Sequence, residues 1–98
     1  MKYEYVITYG HKYKISSFKK HVPLKLDHKE VLAGKVFYNS KKTLRIETTL
    51  FYDVGQKISI GGYPTGSKNF RLIEVSITNN PVLANAEIIS RKETQDDN

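Results

Sequence analysis

Residues 70–78 read FRLIEVSIT, and the alternation within them decides the fold class. Ile73, Val75 and Ile77 recur at every second position, the period of a β-strand rather than of a helix. The period places Glu74 on the opposite face, where a carboxylate is costly unless it is exposed or paired. The same period runs through Tyr3, Tyr5, Ile7 and Tyr9, and through Leu44, Ile46, Thr48 and Leu50 in TLRIETTLFY, residues 43–52. Further strands are expected over residues 12–16, 22–26, 32–38 and 56–63, and the last one, or a short helical turn, over 84–90. Turn residues separate them: Gly10-His11, Asn39 to Lys42, Asp53-Val54-Gly55, Pro64 to Ser67 and Asn79-Asn80-Pro81. About seven short strands with few or no helices predict a mainly β domain, a small closed or partly open barrel. One domain is expected over 1–90, with the polar stretch RKETQDDN, 91–98, as a disordered tail.

Composition narrows the chemistry. The 98 residues contain no cysteine, which removes disulfides, a thiol nucleophile and thiolate metal sites. No metal ligand set and no cofactor motif stands out, so neither is expected. No apolar run approaches the ~18 residues of a membrane span, and the alternating N-terminus MKYEYVITYG does not read as a signal peptide. A cytoplasmic protein is the expectation. The formal net charge of +6 favours an anionic partner, nucleic acid or an acidic protein surface, against the plainer reading of solvated lysines on strand faces.

Residues 57–64, KISIGGYP, are the one stretch with a catalytic flavour. Ser59 lies between Ile58 and Ile60 and is followed by Gly61-Gly62, so it is either a nucleophile near a strand end or a small residue before a bulge. A nucleophilic serine needs a base, a group that orients the base, and oxyanion donors. Only His11, His21 and His28 are available as a histidine base, and His28 follows a predicted strand in VPLKLDHK. Glu74 is a candidate orienting group, and the backbone N–H groups at Gly61 and Gly62 are candidate oxyanion donors.

In combination these stretches resemble a known family. VPLKLDHKEVLAGKV (22–36), ISIGGY (58–63) and RLIEVSITNNPVLANAEII (71–89) are similar, in the same order, to the histidine strand, the serine strand and the Glu-Val-Ser strand with its Pro- and Asn-containing loop in the prohead proteases of tailed bacteriophages. Those proteases share their fold with the herpesvirus assemblins. The resemblance implies an assemblin-like core, with His28 as general base, Ser59 as nucleophile and Glu74 as third member. It further implies capsid and scaffold proteins as partners, a homo-oligomer as a candidate state, and a place of action in the host cytoplasm and inside the immature phage head. This chain is shorter than family members usually are, with the segment before the histidine strand compressed and no room for a helix before the serine strand. Two other readings follow from the same residues: a catalytically inactive virion structural protein on that fold, and a small basic β-barrel that binds single-stranded nucleic acid through Tyr3, Tyr5, Tyr9 and Tyr13.

Overall fold

The computed structural model describes residues 1–10, 14–40, 42–83 and 85–94. They form nine strands, and no helix occurs among them. The strands are β1 (Lys2–Thr8), β2 (Lys14–Phe18), β3 (Leu24–Leu26), β4 (Glu30–Leu32), β5 (Lys35–Ser40), β6 (Thr43–Thr48), β7 (Ile58–Pro64), β8 (Asn69–Ile77) and β9 (Glu87–Thr94). The chain is therefore mainly β. The strands form two sheets, and the described residues close no barrel.

The first sheet runs β5-β6-β1-β9 and is antiparallel throughout. Its sequence pattern is obeyed closely. Tyr5, Ile7, Leu44, Ile46 and Ile88 are buried on one face, while Glu4, Arg45 and Glu47 form ion pairs on the other. Burial of Tyr5 and Tyr9, at 1% and 2% exposure, corrects the expectation that these rings are free to stack on bases. The Tyr5 hydroxyl instead donates to the Leu50 carbonyl at 2.8 Å and accepts from the Tyr52 N–H at 2.7 Å. Tyr13 lies outside the described residues.

The second sheet is organised around β8. On one side β7 pairs with it antiparallel over its length. On the other, β2 and then β3 pair with it in parallel, at residues 69–72 and 75–77, and β4 continues as a hairpin from β3. Strand β2, although it follows β1 in sequence, does not pair with it but belongs to the other sheet. The sheets meet where β7 and β9 approach: Lys57 bridges to Glu87, Ile58 N–H donates to the Ala86 carbonyl at 3.1 Å, and Ile88 N–H to the Gln56 carbonyl at 3.0 Å.

Three local differences from the sequence expectation have physical causes. The strand expected over 32–38 is two strands broken at Ala33-Gly34, where a Cβ on Gly34 would crowd Leu24 Cδ2 at 3.0 Å and the Glu47 carbonyl at 3.1 Å. The strand expected over 43–52 ends at Thr48, whose Oγ1 turns to donate to the Ala33 carbonyl at 2.6 Å. The last strand begins later than expected and extends through Thr94, so residues 91–94 belong to the sheet rather than to a frayed tail. Backbone pairing with β1 needs no apolar side chains, which is why this polar edge strand carries no period-two signal.

Candidate functional site

The site is built on β7 and β8. Between Gly61 and Gly62 the register slips: Gly61 faces Glu74 while Gly62 faces Leu72, so Ile73 is an extra residue on β8. A bulge of this kind shifts the alternation of everything beyond it. Phe70 and Leu72 are buried before the bulge, and Val75 and Ile77 after it, all from one strand. Ile73, expected in line with Val75 and Ile77, is only half-buried. The bulge turns Glu74 and Ser76 away from the Val75–Ile77 face. Because directly opposed residues share a face, Ser59 lies beside Ser76 and Gly61 beside Glu74.

Both glycines are required by space. A Cβ on Gly61 would lie 2.7 Å from Glu74 Cγ and 2.9 Å from its Oε1, so glycine leaves room for the carboxylate to lie across the strand. A Cβ on Gly62 would fall on the Arg71 carbonyl oxygen and the Phe70 ring. Ser59, paired with Ser76, stands two residues before Gly61, where the register slips.

His28 reaches this face from the β3–β4 turn. Asp27 and His28 have φ of 50° and 61°, and Lys29 N–H donates to the Leu26 carbonyl at 3.0 Å. Two consecutive positive φ values define a primed turn, and Asp and His are among the residues that tolerate this region best. Such residues still cost about 1–3 kcal/mol each and persist only where the surroundings hold them. Here β8 holds them. Asp27 N–H donates to the Ile77 carbonyl at 3.0 Å, His28 N–H to Ser76 Oγ at 2.8 Å, and Ser76 Oγ in turn to the Lys25 carbonyl at 3.4 Å.

The strapped turn puts the His28 Nδ1 in hydrogen-bond contact with Glu74 Oε1, while Lys25 Nζ lies 3.1 Å from Oε2. The Glu74 side chain is 13% exposed and that of His28 39%. Burial pushes the Glu74 carboxyl up, but hydrogen bonds from His28 and Lys25 and their charges outweigh it and hold the carboxyl below its ordinary value.

Of the predicted site residues, the structure thus brings His28 and Glu74 together and sets Ser59 and Gly61 opposite Ser76 and Glu74 on the same face. Ser59 is 2% exposed, and its Oγ makes no hydrogen bond to His28 or Glu74 among the described residues. It does line a cavity of about 260 Å³ together with Gly61, Gly62, Phe70, Val82 and Leu83. His11 lies outside the described residues and His21 is exposed in the loop before β3. Lys25 and Ser76 belong to the cluster but were not singled out by sequence. Ser76 carried a signal, as a polar residue between two buried aliphatics; Lys25 carried none. Among the described residues no group of three or more carboxylate and imidazole side chains is arranged to hold a metal ion.

No family model, curated protein or solved structure matches the chain.

Proposed function

We propose that the protein is a minimal serine endopeptidase of the prohead-protease kind, cleaving scaffold and capsid proteins during head maturation. The observation that carries this reading is the contact of Glu74 with Nδ1 of His28, which leaves Nε2 as the nitrogen that takes up a proton. In serine hydrolysis a carboxylate on Nδ1 fixes the tautomer and supports the imidazolium that forms, while Nε2 serves the nucleophile. Ser59 is the nucleophile: it shares the face of Glu74 and Ser76 and opens onto the neighbouring cavity. Its Oγ attacks the scissile carbonyl, His28 takes the proton, and the tetrahedral oxyanion is received by the backbone N–H at Gly62, the Gly61 N–H being turned toward Glu74 in the β7–β8 ladder. Lys25 holds the second Glu74 oxygen and so keeps the carboxylate ionised and aimed. Joining of the two sheets at the β7–β9 corner fits a partly open, assemblin-like barrel.

A second reading, an inactive virion component on the same fold, draws on the burial of Ser59 and the missing Ser59–His28 hydrogen bond. One experiment separates the two. Ser59→Ala is expected to abolish cleavage of co-expressed capsid or scaffold protein while the domain stays folded, and His28→Ala to slow it by about 10²–10⁴-fold. Undiminished cleavage with Ser59→Ala removes the mechanism; no cleavage with the unaltered protein favours the structural role.

A further inference from the structure

The cavity onto which Ser59 opens has no occupant in the catalytic reading. It measures about 260 Å³ and is lined by Ser59, Ile60, Gly61, Gly62, Phe70, Val82, Leu83 and Ala86, none of them charged. That is below the roughly 300–1,000 Å³ of sites that enclose a drug-sized ligand. It suits a single side chain. Its rim carries Val82, a valine with 81% of its surface in water.

The strand beside the cavity has a short unpaired edge. The Ile58 N–H points away from β8, to the Ala86 carbonyl, whereas the Lys57 carbonyl points toward β8 and accepts from Thr78 N–H. Alternation along an antiparallel strand therefore turns the Ile60 N–H and carbonyl away from β8 as well. Among the described residues neither group has a backbone partner on that side. The bulge at Gly61-Gly62 and the absence of an N–H on Pro64 limit the open stretch to about this one residue. An extended peptide can take both groups at once, as strands add to free sheet edges.

We infer that the protein takes an extended polypeptide along the β7 edge at Ile60 and seats an aliphatic or aromatic side chain, from a residue flanking the scissile bond, in the cavity under Val82 and Leu83. The inference rests on the proposed hydrolysis at Ser59 and names its substrate class. A charged side chain entering the cavity would lose its hydration and meet no opposite charge. Val82 and Leu83 are then the specificity-determining residues, and Val82, being exposed, can be changed without disturbing the core.

The test is cleavage of a pooled peptide library by the unaltered protein, by Ser59→Ala and by Val82→Asp, with cut sites read by mass spectrometry. The expected result is Ser59-dependent cutting with at least a tenfold preference for Leu, Ile, Met or Phe over Lys, Arg, Asp or Glu at one position next to the cut. Val82→Asp should erase that preference and raise the share of Lys and Arg there. Ser59-dependent cutting with no apolar preference, or with one that Val82→Asp leaves unchanged, overturns the pocket assignment while leaving the protease reading standing. No Ser59-dependent cutting of any library member overturns the protease reading, and the pocket assignment with it.

Discussion

The two sheets of this protein follow the rules of β structure to different degrees. In β5-β6-β1-β9 the register slips at Val6/Ile7 and at Tyr38/Ser40, but the buried Tyr5, Ile7, Leu44, Ile46, Thr48 and Ile88 are apolar or tied by a hydrogen bond, and Glu4, Arg45 and Glu47 pair on the other face. Around β8 the rules are broken in one small area. Ser59 and Ser76 are buried polar residues, two consecutive non-glycine residues have positive φ, a bulge interrupts the longest strand, and a carboxylate at 13% exposure crosses a glycine. Departures from local consistency concentrate where a protein needs something other than stability. Here they concentrate on the residues that also bring a base and a carboxylate together.

This contrast can be broken by substitution. The largest effect is expected in the consistent sheet. Leu44→Ala empties a fully buried position and should cost about 2–5 kcal/mol in denaturant unfolding without altering the His28–Glu74 contact. Gly62→Ala comes next. The new Cβ collides with backbone that cannot move aside, so a loss of about 1–3 kcal/mol is expected, measured the same way.

Glu74→Gln sharpens the comparison through pH. The folded-state carboxyl is held below its ordinary value, so its ionised form stabilises the fold fully above the unfolded glutamate pKa of about 4.3 and that contribution is lost as pH falls through the lower folded value. The unaltered protein should therefore lose stability over that acid window, and Glu74→Gln should lose less there. Melting temperatures from neutral to strongly acid pH check it; parallel curves would mean that Glu74 is not held by its partners. The smallest effect is expected on the outer face of the first sheet. Arg45→Ala removes ion pairs with Glu4 and Glu47 and a ring contact with Phe37, all partly exposed, and should cost about 1 kcal/mol or less, diminishing further in salt.

The sequence made the β class and most of the first sheet readable, because period-two alternation reports burial directly and β6, β1 and the buried tyrosines obey it. It did not reveal that β2 and β3 lie parallel to β8, since adjacency in sequence favours hairpins and parallel partners are chosen by distant packing. Within the site, His28, Ser59 and Glu74 could be named from residue type and position, but 46 residues separate His28 from Glu74 and no spacing rule joins them. The bulge at Ile73 left a trace that the alternation of Ile73, Val75 and Ile77 alone overlooks: in FRLIEVSIT the apolar parity changes at Leu72-Ile73, and the pairing with Gly61-Gly62 shows that the two halves present the same face.

The central claim is that Ser59 is an activated nucleophile. Treating the folded protein with a serine-reactive phosphonate and locating the adduct by mass spectrometry tests it most directly. The account predicts one adduct, on Ser59, absent in Ser59→Ala and strongly reduced in His28→Ala. A folded protein that takes up no label at Ser59, or is labelled equally well without His28, would contradict it.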